Sequence, residues 1–223
     1  LKSFGVTNIE WKEKKLHINA SEKMNYIFNT SINDIENADL IILIGTNPRL
    51  EATMLNARIR KTFLKKNLKI WSFGNPGDLS YDYKVIGENT SNLIELLEGK
   101  NEFGNKLKDS KRPLFILGES LLELDSANFI FEKLKNFLIK NNLVNENWNS
   151  LNILLQNASS VGAIDLITTQ LNQNNNFDFF SKLENDEIKL LYLLGSDNLD
   201  YKKGDKFIIY QGSHGDRGAE KAD

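Results

Sequence analysis

Three uninterrupted aliphatic runs, each closed by a glycine, restrict the folds open to this chain more than any other feature of its sequence. Strands covered on both faces of a parallel sheet read as short, continuous aliphatic runs. The three runs are residues 40–44, 114–117 and 190–194, closed by Gly45, Gly118 and Gly195, and two weaker examples are residues 68–73 and 207–210. We therefore predict parallel strands at these positions, with the three strong runs buried on both faces.

Amphipathic patterns between these runs predict helices. One pattern covers residues 48–66, where Asn47 is placed to cap the first turn and Pro48 suits the first helical position. Another covers residues 121–140, and shorter ones cover residues 92–97 and 164–171. Strands that alternate with helices imply right-handed crossovers. The fold class that follows is α/β, with a doubly wound and mostly parallel sheet.

A polar stretch at residues 100–111 divides the predicted elements into two half-units of similar plan. We expect a lead-in segment at residues 1–37, a first α/β half at residues 38–111 and a second α/β half at residues 112–223. The sequence starts at Leu1 without an initiator Met, and we expect a segment of a longer polypeptide or a processed piece.

Composition argues against several classes of function. The formal net charge is −2 and the pI is about 5.9, so no electrostatic argument supports binding to nucleic acid or to an anionic membrane surface. The sequence has no cysteine, which excludes a thiolate-ligated iron–sulfur cluster and a cysteine nucleophile within these residues. The only histidines, His17 and His214, disfavour a histidine metal site. No apolar run approaches the ~20 residues that span a bilayer. We predict no catalytic residue, no metal ligand and no membrane span.

The turn that follows the first aliphatic run is the first candidate for a binding site. It consists of Gly45, Thr46, Asn47, Pro48 and Arg49. A glycine permits close approach of the backbone, helix amides favour an anion, and Arg49 can fork onto phosphate oxygens. The spacing matches neither a dinucleotide fingerprint nor a phosphate-binding P-loop. An ordinary strand–turn–helix junction capped by Asn47 is the favoured interpretation.

A polar loop at residues 212–218 is the second candidate. Three glycines there surround His214 and the adjacent pair Asp216 and Arg217. His214 could serve as a proton donor or a ligand contact. Because no second histidine or cysteine lies near it in sequence, we favour the interpretation in which Asp216 and Arg217 hold the turn through local hydrogen bonds.

Five blocks of sequence carry a resemblance to a known family. The blocks are residues 25–32, 38–49, 55–61, 78–83 and 208–219. Together they resemble the large peripheral-arm iron–sulfur subunit of respiratory complex I, the proton-pumping NADH:ubiquinone oxidoreductase, in its mitochondrial or alphaproteobacterial form. The Gly-Thr-Asn-Pro turn is shared with the broader molybdopterin oxidoreductase superfamily.

The resemblance implies a fold and a role for this region. It implies a molybdopterin-oxidoreductase-like α/β body that lacks the cofactor, with a second half that is truncated relative to the family. Gly45, Thr46, Asn47, Arg49 and His214 would then be a vestigial pocket that binds no cofactor. The region would have a structural role, supporting electron transfer from NADH to ubiquinone by the whole complex.

The resemblance also implies cofactors, partners and a location. No cofactor is expected in this chain, whereas iron–sulfur clusters and FMN are expected in the upstream region or in partner subunits. The expected partners are other peripheral-arm subunits of complex I, including the cluster-bearing N-terminal part of the same subunit. The expected location is the matrix side of the mitochondrial inner membrane, or the cytoplasmic face of a bacterial plasma membrane.

Two other functions remain open on the sequence alone. One is a fragment of an active molybdopterin oxidoreductase of the formate dehydrogenase type, which would need a metal ligand upstream of the turn, with Ser3 or Ser21 in place of the usual cysteine. The other is an independent nucleotide-binding module of an unrelated α/β family, whose affinity would depend on Arg49.

Overall fold

The structure is a computed structural model that describes residues 6, 8–66, 68–171 and 178–223, with the side chains of residues 167–171 left aside. The described residues form two compact units. One is Leu16–Thr168, and the other combines Leu1–Lys15 with Thr169–Asp223. Each unit has its own hydrophobic core.

A parallel sheet forms the centre of the Leu16–Thr168 unit. The strands of this unit are β1 (Leu40–Ile44), β2 (Lys69–Phe73), β3 (Lys84–Gly87), β4 (Pro113–Gly118), β5 (Val144–Asn145), β6 (Trp148–Asn149) and β7 (Leu151–Leu154). Five of them pair in parallel in the order β3-β2-β1-β4-β7, while β5 and β6 form a short antiparallel ribbon. The prediction of an α/β fold with a mostly parallel sheet is confirmed.

Both faces of the central strand β1 are buried. Leu40, Ile42 and Ile44 pack into one core cluster, and Ile41 and Leu43 pack into the other. All five side chains are buried because helices cover the sheet on both sides. The continuous aliphatic runs therefore predicted the burial of β1 and, in the same way, that of β4.

The helices of this unit lie at the predicted positions, and a further helix lies within the polar stretch of residues 100–111. They are α1 (Pro48–Glu51), α2 (Thr53–Lys66), α3 (Thr90–Glu98), α4 (Glu102–Lys108), α5 (Glu119–Leu122), α6 (Ala127–Lys140) and α7 (Ser160–Leu171). The predicted helix over residues 48–66 is divided at Ala52, whose backbone is not helical (φ −152°, ψ 71°). The predicted helix over residues 121–140 begins later, at Ala127, because α5 ends first.

Residues from the predicted lead-in segment cover one edge of the sheet. Phe28 forms an antiparallel bridge with Asn152 of β7. The side-chain amide of Asn29 donates to the Leu151 carbonyl at 2.7 Å, and the backbone N–H of Thr30 donates to the side-chain oxygen of Asn152 at 2.8 Å. The first block of the resemblance thus protects an edge that would otherwise present unpaired backbone groups.

The boundaries of the two compact units differ from the boundaries of the predicted segments. The strands β1 to β3 lie before the predicted boundary at residues 111 and 112, whereas β4 and β7 lie after it, and all five share one sheet. Residues 16–37 also belong to the Leu16–Thr168 unit. The division into residues 1–37, 38–111 and 112–223 stays a prediction about the plan of the sequence.

The other unit contains a two-stranded parallel sheet. Its described elements are α8 (Phe179–Glu184), β8 (Leu190–Leu194), β9 (Phe207–Gln211) and α9 (Arg217–Glu220). The prediction that β8 is buried on both faces is wrong, because its burial alternates and Leu190, Tyr192 and Leu194 are exposed. Within the described part of the chain, no helix is long and apolar enough to cross a bilayer.

A carboxylate at Glu36 ties the turn before β1 to α2. It accepts hydrogen bonds from Lys61 and Arg58, each at 2.6 Å, and Lys65 lies 3.8 Å away. The Lys61 ammonium and then the Arg58 guanidinium lower the pKa of Glu36 to about 2. Since Glu36 has a lower pKa in the folded chain than in an unfolded one, its charge stabilises the fold.

We expect the stabilisation by Glu36 to be complete above about pH 4.5 and to be lost as the pH falls from there towards about 2. Urea unfolding of the parent chain and of Glu36→Gln at a series of pH values measures this. The difference in unfolding free energy between the two should be largest near neutral pH and should shrink below pH 4.5. A difference that stays constant down to strongly acid pH would contradict the ion-pair account.

Candidate functional site

The turn from Gly45 to Arg49 lies at the carboxyl edge of the parallel sheet. Since β1 lies between β2 and β4, the strand order reverses direction there, and such a point is the usual place for a ligand in an open α/β sheet. A cleft of about 220 Å³ opens beside the turn, lined by Gly45, Gly74, Leu93, Leu121 and other residues. The predicted candidate residues of the turn are therefore at the position where a ligand site would be expected.

The anion-binding groups of the turn bind a carboxylate of the chain itself. The Thr46 hydroxyl donates to Glu51 Oε2 at 2.6 Å, and the Asn47 amide donates to Glu51 Oε1 at 2.9 Å. The Asn47 side chain caps α1 by accepting from the Leu50 amide at 3.2 Å. Glu51 thus takes the hydrogen bonds that a bound phosphate would need.

The Arg49 guanidinium is also engaged within the chain. It forms an ion pair with the carboxylate of Asp78 and donates to the Asp78 carbonyl at 3.3 Å. The Ser80 amide and then Arg49 hold the pKa of Asp78 below its usual range. Arg49 is thus bonded to the segment after β2.

Asn47 at the N-cap of α1 and side chains of α2 bind the same segment. The additional hydrogen bonds are Asn47 to the Pro76 carbonyl (2.5 Å), Asn56 to the Leu79 carbonyl (3.1 Å), Arg60 to the Ser80 carbonyl (3.2 Å) and the Tyr81 hydroxyl to Asn56 (2.7 Å). Three of the blocks that carry the resemblance therefore meet here. The polar residues of these blocks join the loop of residues 74–83 to the helices.

The backbone closes over the turn where β1 and β4 end. A Cβ atom at Gly118 would lie 2.2 Å from the Gly45 carbonyl oxygen, and a Cβ atom at Gly45 would lie 2.8 Å from the Leu121 amide nitrogen. Gly45 also has a φ of +60°, which favours glycine. The residues that follow β4 thus occupy the space directly above the end of β1, and Leu121 is buried there.

A similar turn follows β8 in the other unit. Gly195 has a φ of +61°, and Glu13 Oε1 accepts from the Ser196 hydroxyl at 2.8 Å and from the Asp197 and Asn198 amides at 3.0 and 3.2 Å. The arrangement repeats that of the first turn, where a hydroxyl and an amide also bind one carboxylate. Sequence reasoning missed both carboxylates. Glu51 could have been found from its spacing to Asn47, but Glu13 is remote from β8 in sequence and gives no local signal.

His214 lies in the unit that contains β8 and β9, and the first turn lies in the other unit. His214 is exposed, and its Nδ1 lies 2.9 Å from the Ser213 hydroxyl. The glycines of its loop leave room for a tyrosine, because a Cβ atom at Gly212 or Gly218 would lie within 2.6 Å of Tyr210 ring atoms. Burial, and then hydrogen bonding to Asp197, raises the pKa of Tyr210 to about 12.

A second cleft, which the sequence did not predict, lies in this unit. It has a volume of about 410 Å³, and the residues Asp197, Asp200, Tyr201, Arg217 and Lys221 contribute to its lining. The Tyr201 hydroxyl is buried and has no hydrogen-bond partner in the described part of the chain. Acidic and basic side chains are mixed around this cleft, so an anionic ligand would face two carboxylates as well as two cations.

Metal ligands do not cluster among the described residues. No group of three or more histidine, aspartate or glutamate side chains is placed there to hold a metal ion. Ser21, a candidate ligand of the alternative molybdopterin enzyme, accepts a hydrogen bond from the Asn25 side chain at 3.4 Å. Ser3, the other candidate, lies outside the described residues.

Similarity to known proteins agrees with the fold and with the sequence of the turn. A family model described as molybdopterin oxidoreductase matches residues 1–223. The chain belongs to the molybdopterin oxidoreductase family. Within this family, the resemblance to complex I subunits noted from the sequence blocks is also confirmed by curated relatives.

Three of these relatives illustrate the match. The chain is 38% identical to the mitochondrial NADH dehydrogenase (ubiquinone) iron-sulfur protein 1 of Solanum tuberosum, over 100% of the chain and 29% of the relative. It is 40% identical to the NADH-ubiquinone oxidoreductase 75 kDa subunit of Reclinomonas americana, over 97% of the chain and 31% of the relative. It is 35% identical to a subunit of the NADH-quinone oxidoreductase of Rickettsia bellii, over 100% of the chain and 31% of the relative. The chain thus spans less than a third of the length of these relatives.

The family name implies a molybdopterin cofactor, and the residues of the first turn do not fit one. The Thr46 hydroxyl and the Asn47 amide bind Glu51, and Arg49 binds Asp78. The adjoining cleft of about 220 Å³ is smaller than the ~300–1,000 Å³ typical of sites for small molecules and cofactors. In this structure, the hydrogen-bond donors of the first turn are therefore used within the fold.

Replacement of Gly118 by alanine tests the close approach of β1 and β4. We expect Gly118→Ala to destabilise the chain by about 3 kcal/mol, because the added Cβ atom would clash with the backbone of Gly45, which cannot move away easily. The matched control is Gly162→Ala in α7, where a Cβ atom would meet nothing within 4 Å and where alanine should stabilise the helix by about 1 kcal/mol. Urea unfolding followed by circular dichroism measures both, and equal stability of the two variants would contradict the contact.

Proposed function

We propose that this chain is a structural, cofactor-free region of the iron–sulfur subunit of proton-pumping NADH:ubiquinone oxidoreductase. The proposed role is to hold the cluster-bearing part of the subunit and the neighbouring peripheral-arm subunits in position. The complex transfers electrons from NADH to ubiquinone. Iron–sulfur clusters and FMN would reside in the remainder of the subunit and in its partners, on the matrix side of the mitochondrial inner membrane or the cytoplasmic face of a bacterial one.

The geometry of the first turn is the observation that carries this proposal. Its hydroxyl and amide donors bind Glu51, its cation binds Asp78, and Leu121 packs over the end of β1. A turn that kept a nucleotide site would need these groups directed at the ligand. The absence of cysteine from the sequence supports the same view, since a protein cluster of the common type needs thiolate ligands.

The relatives support the assignment to complex I over an active molybdopterin enzyme. The curated relatives described above are NADH dehydrogenase or NADH-quinone oxidoreductase subunits, and they match 97% or more of the chain. A subunit that carries no redox centre in this region contributes by position. The side-chain hydrogen bonds between α2 and the loop of residues 74–83 suit such a role, because they fix the loop against the helix.

Isolation of the chain from its own cells in mild detergent tests the proposed function. We expect the chain to co-purify with flavin- and cluster-containing proteins that oxidise NADH, because a scaffold works within its assembly. The purified chain alone should contain no stoichiometric iron, molybdenum or tungsten by mass spectrometry of metals. Stoichiometric molybdenum or tungsten, or a chain that is monomeric in native extracts, would contradict the proposal.

The alternative of an independent nucleotide-binding module has a separate test. Isothermal titration of the chain with GTP, ATP and NADH should give no saturable binding at the first turn, because Arg49 and the turn amides are engaged. The Arg49→Ala variant should behave like the parent in this titration and lose less than about 1 kcal/mol of stability, as expected for an exposed ion pair. Saturable binding that Arg49→Ala abolishes would favour the nucleotide-binding alternative.

A further inference from the structure

One face of the β8–β9 sheet exposes a continuous group of large apolar side chains. The parallel register places Leu190 beside Phe207 and Tyr192 beside Ile209, with Leu194 next along β8. Their exposed fractions are 60% for Leu190, 56% for Phe207, 54% for Tyr192, 38% for Ile209 and 70% for Leu194. We call these five residues the open face. Scattered exposed apolar residues are common, but five neighbours on one side of a sheet mark a contact surface.

The opposite face of the same two strands is buried. Leu191, Leu193 and Ile208 are buried against Leu183 of α8 and Leu199 of the connection between the strands. Residues 195–206, which make this connection, contain no helix. Parallel strands are normally joined by a helix that covers the sheet, and both faces of a parallel sheet are normally covered. Within the described part of the chain, the open face therefore lacks the layer that normally covers this type of sheet.

We propose that the open face is the docking surface for an amphipathic α-helix from the part of the family polypeptide that lies outside these 223 residues. The helix would present aliphatic side chains at positions i, i+3, i+4 and i+7. No charged residue belongs to the open face, and the Tyr192 hydroxyl is hydrogen-bonded to the Gln211 side chain at its rim. The surface thus suits an apolar helix face with no buried charge.

The length of the relatives supports a source within the same polypeptide. The chain covers only 29% of the Solanum tuberosum relative and 31% of the Rickettsia bellii relative, so more than two thirds of each polypeptide lies outside the match. A helix of the same polypeptide reaches the surface at a high effective concentration and needs few contacts to dock. A helix is also the element that packs on parallel sheets in this fold class.

A second copy of the chain suits the open face less well. Stable interfaces between separate chains bury about 800 Å² on each partner and involve about 20–30 residues a side. The open face offers five residues. This inference rests on the proposed function in one respect, since both require the chain to work as part of a full-length family polypeptide.

Cysteine labelling at position 192 tests the docking surface. The sequence has no cysteine, so in Tyr192→Cys a label within these residues reports that position alone. We expect Tyr192→Cys to react with a maleimide about tenfold more slowly in the native assembly than in the purified chain, because a docked helix excludes the reagent. The matched control, Lys202→Cys, is exposed in the same unit and off the open face, and should react at the same rate in both. Leu194→Cys serves as a second variant on the open face.

A photo-crosslinker attached to the same cysteine identifies the occupant. The cross-linked peptide should align with the relatives outside the region matched by this chain. Unchanged labelling at both open-face positions, or a cross-link to a second copy or to another subunit, would overturn the inference. Co-purification with flavin- and cluster-containing proteins is scored on the same preparation. A chain found in that assembly with its open face still reactive refutes only this inference, whereas a protected face in a chain absent from that assembly refutes only the proposed function.

Discussion

The close approach of the backbones at the ends of β1 and β4 is the constraint on which the rest of the first turn depends. Only glycine at Gly118 leaves room for the Gly45 carbonyl, and Gly45 itself adopts a left-handed conformation. With the two strands so close, the chain after β4 passes directly over the turn and Leu121 is buried there. The Thr46 hydroxyl and the Asn47 amide of the turn must then find partners inside the protein, because a buried donor without a partner is costly. Glu51 supplies those partners.

The bonds between the helices and the loop of residues 74–83 follow from the same requirement. Each carbonyl from Pro76 to Ser80 that accepts from Asn47, Arg49, Asn56 or Arg60 belongs to a loop without a strand or helix of its own. Side chains of α1, of its N-cap and of α2 thus satisfy the loop carbonyls, as backbone N–H groups satisfy carbonyls in a sheet. Residues from three separate blocks of the resemblance therefore contact one another around this loop.

The predictable part of the fold is the part whose pattern depends on burial on both sides. The continuous aliphatic runs of β1 and β4 placed these strands within a residue of their observed bounds. The same pattern misled at β8, because an aliphatic run shows that side chains are apolar and does not show that a layer is present to cover them. The break at Ala52 was missed for a different reason, since helical spacing continues through it. Asn47 was identified as a cap from its position before Pro48, whereas Glu13 could not be found, because its contact with the turn after β8 joins distant parts of the sequence.

The two turns share one arrangement, in which backbone and hydroxyl donors after a strand bind a carboxylate of the chain. In each turn, a glycine with positive φ follows the strand. A hydroxyl and one or more backbone amides then donate to a single carboxylate, through both oxygens of Glu51 in the first turn and through Oε1 of Glu13 in the second. One carboxylate is local, from Glu51, and the other is remote, from Glu13. The geometry that attracts an anion is set by the strand and the turn, so it remains whichever anion fills it. In each turn, a side-chain carboxylate of the chain satisfies these donors. The turn then stabilises the edge of the sheet, because its donors bind a carboxylate of the same chain.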